Sequence, residues 1–439
     1  MRTPIILTAA MLATTATAQT RPIQFTEWDL DNGLHVIVHE DHTTPIVAVS
    51  VMYHVGSKNE RPDRRGFAHF FEHLLFEGSE NIGRGEFSRH VEDAGGILNA
   101  NTNGDRTYYY EVLPSNQLQL GLWLESERML HARVDQVGID TQREVVKEER
   151  RQRYENQPYG SILPEVLDRA YVMHPYRWPT IGFMEDLNAA SEADYKAFYE
   201  TFYVPNNAVL VLAGDVDVAS AKGLVQKYFG SIPQGGDVPR PEPNEPPLGR
   251  EVRDVVYDNI QLPAVVQAYR IPAYGTKEFY AVDVVNRILS SGNSSRLQRA
   301  LKDEQEKAVY VGAFSFPFEH PGLAVAFAIA NAGVPADSLE QAMDAEIGRL
   351  REELVSEEEL EKLKAKLRTE QVMERSRLAG IASALASAHT FLGSANAVND
   401  ELDRYQAITA EDIRQAARTY FVPGNRVVLH YLPKSQQDQ

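Results

Sequence analysis

An α+β fold in two homologous halves, each a largely antiparallel sheet with helices packed on one face, is predicted by three observations. The first is a repeat: Thr201-Phe202-Tyr203-Val204-Pro205-Asn206-Asn207 returns as Thr419-Tyr420-Phe421-Val422-Pro423-Gly424-Asn425, a constant offset of 218. The same offset carries Ser191-Glu192-Ala193-Asp194 onto Thr409-Ala410-Glu411-Asp412, each opening on a hydroxyl suited to cap a helix, and 45–51 onto 263–269. The second is the run from Ile232 to Gly249, whose six prolines read as a stiff, solvated linker near the middle of the chain. The third is the alternation of strand-like and helix-like periodicity, with hairpin signals, inside each half. Together they divide the chain into a leader at 1–18, a first domain at 19–231, a linker at 232–249 and a second domain at 250–439, the two domains being an old duplication.

Residues 1–18 carry Arg2, a short apolar run over 5–13 and the small-residue site Ala16-Thr17-Ala18, the layout of a secretory signal cut before Gln19. No other segment approaches the roughly 20 apolar residues of a membrane span. The mature protein is expected to be exported, to the periplasm or the medium, with no stable membrane insertion. Strands follow at 30–38, with Asn32-Gly33 as a tight turn, and at 46–53. Helices are expected at 67–76, 85–94, 118–131 and 141–156, with strands at 97–101 and 107–113 between them. A formal net charge of -18 argues against nucleic acid and anionic membranes as partners. Cysteine is absent, which excludes a disulfide framework and a Cys-rich zinc site.

The informative stretch is Gly66-Phe67-Ala68-His69-Phe70-Phe71-Glu72-His73-Leu74-Leu75-Phe76. Residues four apart share a helix face, so His69 and His73 can point at one ion while Glu72 projects beside them. This is the inverted His-x-x-Glu-His order of metallohydrolase helices. The competing reading is two histidines on a partly buried face. Against it, Phe67, Phe70, Phe71, Leu74 and Leu75 already supply the apolar stripe, so packing does not call for the polar triplet. Extending the offset of 218 puts Arg287, Ser290 and Ser291 opposite His69, Glu72 and His73, so one half alone binds metal.

A catalytic zinc takes three protein ligands and leaves a position for water. The helix expected from Thr141, with Thr141 and Glu144 as a capping box and Val145 and Val146 as its buried face, offers Glu148 and Glu149. Glu149 shares the face of the valines and is the better inward carboxylate, with Glu148 as the alternative.

These residues together resemble the insulinase/pitrilysin family of zinc peptidases, in particular the bacterial branch similar to the mitochondrial processing peptidase. The resemblance rests on the inverted motif, on Arg143-Glu144-Val145-Val146-Lys147-Glu148-Glu149-Arg150 with Glu149 lying 76 positions after His73, on Gly95-Gly96-Ile97-Leu98-Asn99-Ala100-Asn101-Thr102, on 105–109, and on the duplicated halves. It implies His69, His73 and Glu149 as ligands of one zinc per chain and Glu72 as general base on zinc-bound water. It also implies an edge strand at 97–102 that takes substrate as an added strand, with Asn99 and Ala100 nearest the scissile bond. Such chains act on extended or unfolded peptides inside a chamber of two or four domains.

Two positions depart from that pattern. Where the family carries a further glutamate seven residues before the ligand, Gln142 stands here, and a change one shell out costs about 10 to 100-fold in affinity or rate. In the second half the family sets an arginine and a tyrosine seven apart to hold the substrate carbonyl; Tyr310 fits the tyrosine, but Asp303 stands at the arginine position with Lys302 adjacent. A lysine does not reproduce a bidentate arginine. The expected function is an exported zinc metalloendopeptidase, as a homodimer or a heterodimer with a related subunit. The alternative is a partner-dependent subunit with little activity alone, and a peptide-binding module that kept only the fold is a third reading.

Overall fold

The computed structural model describes residues 21–240 and 244–437, so the expected leader and its cleavage site lie outside the described residues. Among the described residues, eleven strands form two sheets. The first contains β1 (Thr26–Asp29), β2 (His35–Glu40), β3 (Ile46–Tyr53), β4 (Ile97–Thr102), β5 (Thr107–Pro114) and β6 (Ala208–Gly214), in the order β1-β2-β6-β3-β5-β4. The second contains β7 (Val252–Asp258), β8 (Ala264–Ile271), β9 (Ala308–Phe316), β10 (Gly322–Ala330) and β11 (Arg426–Pro433), in the order β7-β11-β8-β10-β9. Only the β2–β6 and β7–β11 pairs are parallel. The Asn32-Gly33 turn forms, with Gly33 at φ 85°, but the expected strand over 30–38 is confined to 35–40 and pairs with β1 before the turn.

Central strands β3, β6 and β8 are buried along nearly their whole length, which requires cover on both faces of each sheet. One face of the first sheet packs on its own half, through Leu122 and Leu124 of the helix Leu118–Leu130 and Val225 of the helix Val218–Phe229. Its other face is closed by the helix Leu378–Leu392 of the second half, which lays Ile381, Ala382, Leu385 and Ala386 on Ile37, Ala48, Met52 and Val211. The exchange is returned. The helix Ile162–Ala170 of the first half sets Val166, Leu167 and Ala170 against Ala264, Val266 and Ala268 of β8 and Leu429 of β11. An offset of 218 takes Leu167 to Leu385 and Ala170 to Ala388, so the two helices are one element of the repeat, each crossing to the other sheet.

A polar cluster also joins the halves. Buried Lys58 bonds Asp105 at 2.8 Å and also meets Glu319, whose N–H donates to Asp105 at 3.0 Å, while His54 meets Glu319 at 2.7 Å. His174 and His320 face each other at 2.8 Å. The linker is strapped to both halves rather than merely solvated: Arg240 donates to His54 O and Asn207 Oδ1, each at 2.5 Å, and the Glu245 carboxylate accepts the N–H groups of Val172, Met173 and His174 and pairs with Arg270 of the second half at 2.5 Å. No single helix among the described residues is long and apolar enough to cross a membrane.

Candidate metal centre

The motif helix spans Phe67–Leu74. Phe67, Phe70, Phe71 and Leu74 are buried in the first core, leaving His69, Glu72 and His73 to a polar face. Both helix ends are fixed by groups that no local pattern announces. At the start, Gly66 sits at φ 99°, where a Cβ would come 2.7 Å from Ile181 O. Buried Glu60 accepts the N–H groups of Gly66 at 2.8 Å and Ala68 at 2.9 Å, and the Trp178 indole at 3.1 Å. Its oxygens satisfy orphan N–H donors of the helix start, while burial pushes its carboxyl up to about 8. At the other end the Tyr109 hydroxyl donates to Phe71 O at 2.8 Å and Arg128 donates to Leu75 O at 3.0 Å. Arg128 lies within 4.6, 4.3 and 4.1 Å of the Phe76, Phe87 and Tyr109 ring centres and is paired with buried Glu125.

The helix expected from Thr141 spans Gln136–Arg150, starting earlier because Asp135 caps it by accepting Gly138 N–H at 2.8 Å. Thr141 and Glu144 are therefore interior and form no capping box; Thr141 donates to Val137 O and Glu144 pairs with Lys147. Val145 is exposed, and the face turned to the core is Ile139 and Val146, with Gln142 and Glu149 alongside at helical spacing. Glu149 is thus inward, its side chain 18% exposed, whereas Glu148 is 53% exposed and held by Arg151 and Gln152.

Glu149 Oε2 lies 3.1 Å from His73 Nε2 and 3.6 Å from His69 Nε2. Bonds of about 2.0–2.1 Å at tetrahedral angles put ligand atoms about 3.3 Å apart, so both distances are near one edge of a zinc tetrahedron. Oε2 is also buried without a hydrogen-bond partner among the described residues, while Oε1 is taken by Arg153 at 3.0 Å. Two imidazole nitrogens and one free carboxylate oxygen facing a common point fit a divalent cation. Burial alone would raise the Glu149 carboxyl, but the His69 and His73 imidazoles beside it outweigh burial and hold it well below the usual carboxylate range. Glu72, half-buried, makes no hydrogen bond or ion pair among the described residues.

Gln142 is placed on Glu77, donating at 2.5 Å, and makes no hydrogen bond to His69, His73 or Glu149. Glu77 also meets Arg84, which reaches Asp135 at 3.0 Å, so this network ties the end of the motif helix to the cap of the ligand helix. A glutamate at 142 would set two carboxylates against each other, which gives Gln142 a local reason.

Strand β4 is an edge, paired with β5 alone. Asn103 N–H donates to Arg106 O across the turn, so by alternation the backbone groups of Leu98, Ala100 and Thr102 face the open side. Ala100 N–H is covered by its neighbour's Asn99 Oδ1 at 2.8 Å. Tyr310 lies on β9, the matching edge of the second sheet, 52% exposed, with no contact to the metal-facing residues. Lys302 and Asp303 are exposed on a π-helical turn, Gln298–Glu304.

The offset of 218 does not extend over the motif helix, because residues 54–66 separate it from β3 whereas 272–276 separate β8 from its counterpart, Lys277–Ser290. The buried pair Leu74-Leu75 instead matches Ile288-Leu289, and Gly78 at φ 118° matches Gly292 at φ 96°. Asp283, Asn286 and Arg287 therefore replace Arg287, Ser290 and Ser291 as the positions opposite His69, Glu72 and His73. The Arg287 guanidinium bonds Asp283 at 2.7 Å and Glu370 at 2.7 Å, a fixed cation where the first half gathers His69, His73 and Glu149.

Paired α+β halves with His69, His73 and Glu149 gathered at the motif helix fit a metallopeptidase architecture. The family models described as "Insulinase (Peptidase family M16)" and "Peptidase M16 inactive domain" match residues 35–182 and 189–367. The chain is 31% identical to the "Zinc protease PqqE" of Helicobacter pylori over 396 residues, covering 89% of each. It is 23% identical to the "Uncharacterized zinc protease YmxG" of Bacillus subtilis, covering 89% of this chain and 94% of the relative. A crystal structure of a protease from Helicobacter pylori superposes with a TM-score of 0.90 at 28% identity, covering 94% of this chain and 100% of that one. The periplasmic protease PqqL from Escherichia coli gives 0.75 at 19% identity, covering 93% of this chain and 47% of that one. The chain belongs to the insulinase family, peptidase family M16.

Proposed function

We propose that this chain is an exported zinc metalloendopeptidase acting on extended or unfolded peptides, with the catalytic domain at 19–231, the linker at 232–249 and the homologous domain at 250–439. The observation that carries it is the free Glu149 Oε2 facing His69 and His73 at near-tetrahedral spacing. His69, His73 and Glu149 would hold one zinc, which when bound supplies an acidified water and polarises the scissile carbonyl. Glu72, between the two histidines and without a competing partner, takes the proton of the attacking water and returns it to the leaving amine. The open backbone of Leu98 and Ala100 holds the peptide extended by strand addition, which accepts many sequences but no folded substrate. The Asn99 amide gives up Ala100 N–H as the peptide arrives, and Tyr310 contributes to the peptide site from the other edge. Periplasmic placement is supported by the leader-like residues 1–18 and by a structural relative described as periplasmic.

The test is peptide cleavage by the purified chain with and without chelator. Glu72→Gln should retain zinc yet lose at least about 100-fold in rate, the scale of general acid–base catalysis; a variant as fast as the parent refutes the assignment. A second reading, a subunit completed by a related partner, is favoured by β9, an open edge that exposes Val309, Tyr310 and Phe314. Strong activity of the isolated chain rules that reading out.

A further inference from the structure

Arg106 is a guanidinium without a carboxylate. It closes the turn between β4 and β5, donates to Asn101 Oδ1 at 2.5 Å and Asn101 O at 3.3 Å, and lies 5.3 Å from the Tyr108 ring centre. No acidic oxygen lies within ion-pair distance of it among the described residues. The buried arginines are paired: Arg128 with Glu125 at 3.1 Å, Arg270 with Glu245 at 2.5 Å, and Arg426 with Asp344 and Glu251 at 2.6 Å each. Arg106 lines a cleft of about 390 Å³ between the halves. The two carboxylates in that cleft are already engaged: Asp283 by Arg287 at 2.7 Å and Tyr405 at 3.0 Å, Glu401 by the Tyr274 hydroxyl at 2.8 Å. Burial presses against its charge, and Glu72 is close enough to act on it electrostatically.

We infer that Arg106 reads a carboxylate of the bound peptide, selecting an aspartate or glutamate near the scissile bond. This rests on the peptidase reading above. The register assigns the side: Asn101 lies opposite Tyr108, so Asn101, Tyr108 and Arg106 share the face of the sheet turned away from the motif helix. A peptide added along β4 alternates its side chains between the two faces. Residues that point away from the metal centre enter the cleft beside Arg106, and a carboxylate there receives the planar, two-pronged donor that Arg106 presents.

The test moves one Glu stepwise through an otherwise uncharged extended peptide, each paired with its Gln match. Binding to zinc-loaded full-length Glu72→Gln is read by fluorescence anisotropy, and kcat/KM is read on the parent. One position should favour Glu over Gln on the order of 10-fold, as hydrogen bonds to charged groups do. Arg106→Gln should bring the ratio to about one, and Arg106→Lys should keep part of it. Arg106→Glu should invert the preference toward Lys, which a merely structural role would not produce. Absence of an acidic preference at every position, or a preference surviving Arg106→Gln, overturns the inference. Acid-selective binding without any cleavage by the parent would instead overturn the peptidase reading and leave this one standing.

Discussion

Glu148 and Glu149 are neighbours in sequence, and single substitutions along their helix separate three levels of involvement in the metal site. Glu149→Ala removes the oxygen that faces His73 at 3.1 Å and His69 at 3.6 Å. Since a residue one shell out is worth about 10 to 100-fold in metal affinity, a ligand should cost more than about 100-fold. Arg153→Ala frees Glu149 Oε1, but its side chain is 68% exposed, so water and salt screen the pair. An exposed ion pair contributes about 0.2–1 kcal/mol, which limits that loss to about 5-fold. Glu148→Ala removes a solvent-facing carboxylate and should leave affinity unchanged. Competition of each variant against a chromophoric zinc chelator gives the three affinities directly, with thermal melting as a check on folding. Glu149→Ala at parental affinity, or Glu148→Ala as damaging as Glu149→Ala, would refute the reasoning.

Two further outcomes follow from contacts between the halves. Residues 19–231 expressed alone lack the helix that covers Ile37, Met52 and Val211, so they should aggregate, and co-expression with 250–439 should restore a soluble complex on size exclusion; a well-folded, soluble first half would contradict the exchanged-helix account. Burial lowers His54, His320 and His174 below the ordinary histidine value, His174 to about 4, so all three favour the neutral form in the folded state. A depressed histidine contributes stability above its unfolded pKa of about 6.5 that is lost as pH falls toward the folded value. Melting temperature should therefore decline between pH 6.5 and about 4, with a shallower slope in His174→Gln; an unchanged slope in that variant argues against it.

Much of the site was legible because its signals are short-range. His69, Glu72 and His73 declare themselves by helical spacing, and Glu149 by sharing a face with Val146. The duplication was readable where its ends keep one offset, at β3, β8 and the closing strands. It does not carry over the motif helix, since residues 54–66 and 272–276 differ in length and shift the register, so a constant offset points past the true counterparts of His69, Glu72 and His73. Asp135 hid the true start of the ligand helix behind a second plausible cap at Thr141. What the sequence withheld is long-range: Glu60 serves backbone N–H groups, Arg128 serves a carbonyl and three rings, and neither has a neighbour in sequence that points to it. The crossing helices are foreshadowed by the apolar run of β6 and by β3, interrupted only at Ser50, which need cover on both faces.

The second half did not simply lose a metal site, and Arg287 shows why that matters. Its guanidinium stands between Asp283, 11% exposed, and Glu370, 44% exposed, as an ion would between ligands, but it is covalently fixed. Removing one partner of a buried pair costs about 3–5 kcal/mol because the other charge is left unpaired. With one carboxylate nearly half exposed, Arg287→Met should cost less, about 1–3 kcal/mol, measured by chemical denaturation of the full chain. Tyr405, whose hydroxyl donates to Asp283 at 3.0 Å, remains to hold that carboxylate. Zinc content should stay at the parental value in this variant, since two carboxylates and Asn286 lack the imidazole nitrogens that favour zinc. No loss of stability would mean that Arg287 is not the cation that holds Asp283 and Glu370 together, and a rise in zinc per chain would mean that these carboxylates suffice to bind it once the guanidinium is gone. If both expectations hold, the asymmetry of the repeat has a physical basis: one half exchanges its cation with solvent and can do chemistry, while the other has made its cation part of the core.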